Sequence, residues 1–118
     1  MSEQQPERRR MPDVRRSVTA KKTVCGFKLY VTASFFDDGS IGEIFIKVAK
    51  HGSMMAGLMN EIAVLSSLAL QYGVPWPVVR DKMVGTQFER NGDVEHSSVL
   101  DGVAKIVDGI IELTRKEG

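Results

Sequence analysis

Lys47, Lys50 and His51 place two cations and an imidazole within five residues, directly ahead of Gly52, Ser53 and Met54. From Ser53 onward the chain turns strongly apolar, so this cluster stands where a helix should begin. The unpaired amides of a first helical turn, with lysines beside them, make an anion site without further machinery. Lys47, Lys50, His51, Gly52, Ser53 and Met54 are therefore the candidate ligand-binding residues, and phosphate is the chemistry they suit. The same residues also read as an ordinary capped helix with solvated lysines, Ser53 serving as N-cap. Gly52-Ser53-Met54-Met55-Ala56-Gly57 begins like a phosphate loop, but Leu58 and Met59 stand where Lys and Ser or Thr are required.

A second basic group lies near the N-terminus. Arg8, Arg9, Arg10, Arg15 and Arg16 suit contacts to nucleic-acid phosphates, which need charge and no base readout. Residues 1–20 carry two prolines, many charges and no clear apolar period, so a flexible basic arm is expected there. Acids are interleaved and no aromatic residue is present to stack on bases, which equally suits a solvated tail.

Other chemistries find little support. His51 and His96 lack carboxylate or thiol partners at metal-ligand spacing, so neither a metal nor another cofactor is expected. No nucleophile-elbow pattern accompanies a Ser-His-Asp set, and Asp37-Asp38 are explained by turn chemistry. The single cysteine, Cys25, permits no intramolecular disulfide and reads as a small core residue of a strand.

The elements that must position these residues follow from periodicity. Leu29, Val31, Ala33 and Phe35 alternate with Tyr30, Thr32 and Ser34, the pattern of a half-buried strand. Asp37-Asp38-Gly39-Ser40 is a hairpin signal, leading into a strand over 43–48 with Ile44, Ile46 and Val48 inward. A shorter strand at 23–25, turning at Gly26, completes a three-stranded antiparallel meander. Residues 53–72 carry only one formal charge, Glu61, and predict a long helix apolar around most of its girth, hence buried on several sides. Gly73 and Pro75 end it. A short helix over 76–84 has Pro77 in its first turn and Trp76 as a packing anchor, with Arg80 and Lys82 solvated; a polar loop at 86–95 holds Asn91-Gly92. The last helix spans 98–114, with Val99, Val103, Ile106, Ile110 and Leu113 on one stripe. Gly102 and Gly109 lie near one side and suit close helix contact. The fold class expected is α+β: a three-stranded antiparallel sheet, a long buried helix and two further helices.

Length and charge bound the rest. The chain has 118 residues, is 42% hydrophobic and has a formal net charge of +1, enough for one domain with a modest core. That charge is uneven. Residues 1–22 hold seven basic and three acidic side chains, a net of +4, which leaves nine against twelve, a net of −3, for the remainder. No apolar run crosses a bilayer without helical patterning, and the N-terminus lacks a signal-peptide core, so no membrane partner and a cytoplasmic location are expected. The apolar excess of the two long helices suggests a homo-oligomer.

GEIFIKVAKHGSMMAGLMNEIAVLSSLALQYGVP, residues 42–75, closely resembles the C-terminal region of adenosylcobalamin-dependent (class II) ribonucleotide reductases, the TSCPD domain. The resemblance takes in MPDVRRSVTAKK at 11–22 and YVTASFFDDG at 30–39. A weaker likeness continues through FERNGDVEHSSVLDGVAKIVDGI. Small stand-alone proteins of this type also occur, often in phage. The cysteines that name the domain are missing here, and nothing matches the reductase's catalytic barrel, its radical cysteine or its reducing pair. Ribonucleotide reduction needs several thiols, which Cys25 alone does not supply, so no enzymatic activity is expected. The resemblance implies a non-catalytic module at residues 21–118 that binds a nucleotide or nucleic-acid phosphate, in a phage sequestering a nucleotide signal. The other expectation is an accessory interaction subunit of a separately encoded ribonucleotide reductase large subunit.

Overall fold

The computed structural model describes residues 7–49, 53–87 and 96–117, the side chain of Ser53 excepted. Strands β1 (Arg16–Val24), β2 (Phe27–Phe35) and β3 (Ile41–Val48) form an antiparallel meander in that spatial order. Helices α1 (Ser53–Gln71), α2 (Trp76–Asp81) and α3 (Val99–Glu117) follow. This is the α+β arrangement that the periodicity predicts.

The main difference lies in β1. A short strand over 23–25 is expected, yet the strand starts at Arg16 and takes in residues 16–20 of the expected arm. Register explains it: Val18 pairs with Ala33, Ala20 with Val31 and Val24 with Phe27, so small apolar side chains face inward. Lys22 shares that row set opposite Leu29 and breaks the apolar alternation in the sequence. Cys25 is likewise not in a strand. Cys25 and Gly26 have φ of 50° and 82°, the two-residue turn whose backbone follows the natural twist of a hairpin. The Cys25 side chain still packs against the core.

The second hairpin follows its sequence signal. Gly39 takes φ 88°, its amide donates to the Phe36 carbonyl at 2.9 Å, and the Ser40 amide donates to Asp38 Oδ1 at 3.0 Å. The hydroxyl and amide of Ser40 together hold the Asp38 carboxyl down at about 2.

The inner face of the sheet carries Leu29, Val31, Ala33, Ile44, Ile46 and Val48, all buried. Each such aliphatic side chain contributes roughly 1.5–3 kcal/mol when fully buried. α3 crosses β1 and β2 with Val103, Val107 and Ile110, and α1 lies along β3. Ser98 caps α3, its hydroxyl accepting from the Asp101 amide at 3.0 Å. Trp76 is buried as expected, and its indole N–H donates to Asp108 at 2.8 Å. Arg80, expected to be solvated, instead pairs with the same Asp108, which raises the guanidinium's pKa.

α1 is buried along one stripe only. Met59, Ala63, Ser67, Leu70 and Gln71 face the sheet, while Met54, Leu58, Val64, Leu65 and Tyr72 are exposed. A helix buried on several sides is thus not what a single chain forms, because a three-stranded sheet offers one flank to cover it. Residues 54–71 have the length and composition of a bilayer-spanning helix. Its buried stripe is, however, bonded to the sheet edge: the Ser67 hydroxyl accepts from the Ile44 amide at 2.9 Å and donates to its carbonyl at 3.1 Å. Gln71 Nε2 donates to the Gly42 carbonyl at 2.9 Å.

Candidate functional site

Two-residue alternation leaves the outer face of the sheet with a different population. Strand register aligns it in rows: Ser17–Ser34–Glu43, then Thr19–Thr32–Phe45, then Lys21–Tyr30–Lys47. Thr23 and Lys28 form a fourth. Neither long helix covers this face, since both are packed on the opposite side or along the β3 edge. Phe45 is 50% exposed, and a groove of about 910 Å³ runs past Tyr30, Thr32, Phe45 and Lys47 to Ala56 and Asn60 of α1. The hydroxyls of Thr19 and Thr32 bond each other at 2.7 Å, as do those of Ser17 and Ser34.

The charge on this face is one-sided. Lys21, Lys28 and Lys47 form no ion pair among the described residues. The single carboxylate of the four rows, Glu43, is taken by Arg15 in a two-pronged pair of 3.0 and 3.2 Å. What remains beside the aromatic rings is positive.

Of the residues expected to bind a ligand, Lys47 lies on this face, on the edge strand β3 opposite Tyr30. Met54 is exposed in the first turn of α1, whereas Lys50, His51, Gly52 and the Ser53 side chain lie outside the described residues. The arm arginines do not form one patch. Arg8 Nε donates to Gln71 Oε1 at 2.6 Å, and the Arg9 amide donates to the Gln71 carbonyl at 2.8 Å. The Arg9 guanidinium pairs with Asp38 at 3.1 Å and lies 3.8 Å above the Phe36 ring. Arg16 pairs with Glu117, and Arg10 is exposed. The remaining arm residues, 1–6, lie outside the described residues.

A second concavity, of about 780 Å³, opens between Phe36, Tyr72, Trp76 and α3. Its charges are of both signs: Arg9 and Arg80 are paired with Asp38 and Asp108, and Glu7, Glu112 and Arg115 also line it. The sheet face differs in presenting three lysines that form no ion pair among the described residues.

Tyr30, Phe45, Lys21 and Lys28 escaped the sequence reading as site residues. Their grouping depends on the turn at 25–26, which pairs Val24 with Phe27 and hence Lys21 with Tyr30, and Cys25 there gives no residue-type signal of that register.

A three-stranded antiparallel sheet with its helices packed on one side and along the β3 edge defines a small α+β domain. The chain belongs to the TSCPD domain family, whose pattern matches residues 3–110. It is 38% identical over 106 residues to the vitamin B12-dependent ribonucleotide reductase of Rhodopirellula baltica, covering 85% of this chain and 10% of the reductase. The reductase of the same description from Bradyrhizobium diazoefficiens is 39% identical over 102 residues, which is 86% of this chain and 8% of that one. For Streptomyces clavuligerus the figures are 37% over 108 residues, 92% and 11%. The chain thus spans about a tenth of the length of these curated relatives. No solved structure gives a significant match.

Proposed function

We propose that this TSCPD domain is a non-catalytic module that binds a phosphate-bearing ligand, a nucleotide or nucleic acid, on the outer face of its sheet. The observation that carries the reading is the set Lys21, Lys28 and Lys47, presented by three adjacent strands and in no ion pair among the described residues. Three such cations attract a polyanion and release its counterions on binding, which makes affinity fall with salt. The restriction of the match to a tenth of each reductase supports the non-catalytic part. Calorimetric titration with ATP and with a short oligodeoxynucleotide, at about 50 and 200 mM salt, tests it. Binding that weakens with salt, and weakens at least tenfold in Lys21→Glu/Lys47→Glu, is expected; no heat with either ligand at either salt removes the reading.

A second reading has its own observation, the exposed stripe of Met54, Leu58, Leu65 and Tyr72 along α1. Spacings of four and seven residues put these side chains on one flank, where they suit an apolar partner surface. A reductase chain lacking this segment is the partner that the family relation favours. Light scattering of the mixture should show a joint species, lost in Leu58→Glu/Leu65→Glu. Two separate peaks with the unaltered domain would dismiss the idea.

A further inference from the structure

The outer face holds two aromatic rings as well as cations, and their placement says more about the ligand. Phe45 stands opposite Thr32, so Tyr30, two residues away on the same face of β2, is its diagonal neighbour. Diagonal partners across antiparallel strands lie about 7–8 Å apart, within reach of adjacent bases in an unstacked strand. Phe45 is half-exposed and Tyr30 partly so, which leaves part of each ring accessible to a ligand. Lys21 and Lys47 flank Tyr30 on either side, and Lys28 lies one row beyond, opposite Thr23.

Strands in a sheet lie about 4.8 Å apart, so Lys21 on β1 and Lys47 on β3 are separated by roughly 10 Å at the backbone. That separation suits successive phosphates better than one. As the described residues line it, the groove beside Phe45 is a trough between β2, β3 and one side of α1, which suits an extended ligand better than a mononucleotide needing burial on several sides. Base pairs of a duplex would keep their faces stacked and unavailable to either ring.

We infer that the outer sheet face binds single-stranded nucleic acid, two neighbouring bases stacking on Tyr30 and Phe45 while Lys21, Lys28 and Lys47 meet the phosphates. Thr32 and Thr19 continue the row of Phe45 toward β1, and their mutually bonded hydroxyls keep acceptor capacity for base edges without selecting one sequence. This inference rests on the phosphate-binding reading above and deepens it.

Fluorescence anisotropy with a labelled oligothymidylate of about a dozen nucleotides, comparable to the site sizes of open-sheet binders, gives the test on the full chain. Phe45→Ala and Tyr30→Leu alter partly solvated positions, and their thermal melts report that each remains folded. The expected result is a loss of tenfold or more in affinity for the double variant, with thymidine monophosphate competing far more weakly than the oligomer. Lys21→Glu and Lys47→Glu should each weaken binding and flatten its salt dependence. Equal affinity of the aromatic double variant and the parent chain overturns the stacking arrangement. So does a duplex of the same length that binds as tightly as the single strand. If the monophosphate binds in a lysine-dependent way and the oligomer gains nothing over it, the single-strand inference falls and the phosphate reading stands. If no probe binds, both fall.

Discussion

Asp101→Ala is expected to lower the stability of the domain by about 3 kcal/mol, close to the upper end for a single substitution. Asp101 is 2% exposed, yet its carboxylate has full employment. Oδ1 accepts from the Gly85 amide at 2.8 Å; Oδ2 accepts from the Ser97 amide at 3.2 Å and from Lys105 Nζ at 2.7 Å. It thereby ties the segment after α2 to the start of α3, the same place where Thr86 bonds the Ser98 hydroxyl at 2.7 Å and accepts from Ser97 through its carbonyl. Alanine removes all three bonds and leaves two amides facing a void, each costing about 1–3 kcal/mol if unmet. Burial by itself would raise the pKa of Asp101, but Lys105 and the two amides outweigh it and hold the group below its ordinary 3.8. The sign of the pH dependence follows. A depressed carboxylate stabilises fully above the unfolded-state value of about 3.9 and loses that contribution as pH falls through the folded value. Denaturant midpoints for the parent and for Asp101→Asn should therefore differ near neutrality and converge below about pH 3.9. The groups facing it among the described residues are the Lys105 ammonium on its own helix and the His96 imidazole, whose Nδ1 lies 3.8 Å from Oδ2. A gap between parent and variant that persists unchanged at low pH would contradict the charge assignment.

The same substitution, Gly→Ala, is expected to act with opposite sign at two positions of α3 seven residues apart. At Gly102 an added Cβ would overlap Val24 Cγ1 and lie 3.0 Å from Cγ2. Val24 has no exposed surface and belongs to the centre of the core, so it has nowhere to retreat. The helix must lift from the sheet. Overpacking of this kind costs about 1–3 kcal/mol, outweighing the roughly 1 kcal/mol that Ala gains over Gly in a helix. At Gly109 the added methyl meets nothing within 4 Å, and the position is exposed. There the helix gain stands alone, and Gly109→Ala should raise stability by about 1 kcal/mol. Pairing Gly102→Ala with Val24→Ala should recover part of the loss, since the two side chains share one volume. Strict additivity in that cycle would show that the contact with Val24 is not the cause.

How far the sequence foretold all this depends on the range of the interaction involved. The α3 stripe and the Asp38-Gly39 turn depend on neighbours within four residues, and both are where local pattern puts them. β1 was harder. Its inward side chains are small, Lys22 interrupts them, and only pairing with Leu29, Val31 and Ala33 shows that 16–20 belong to the sheet. Cys25 at positive φ is an unusual turn residue, so the register it sets was not visible from residue type. The Lys21–Tyr30–Lys47 row joins residues nine and seventeen positions apart along the chain. No one-dimensional period groups them. The bond from Gly85 to Asp101 and that from Arg80 to Asp108 were hidden for the same reason, spanning 16 and 28 residues.

The contact of α1 with β3 has an implication for assembly. A sheet edge is a template on which foreign strands can polymerise. On β3 the backbone groups of Gly42 and Ile44 are already spoken for by Gln71 and Ser67, so growth from that side would first have to strip away the helix. Among the described strands this leaves β1 as the other border. The β3 flank of the sheet is thus guarded from strand addition by a hydroxyl and a carboxamide.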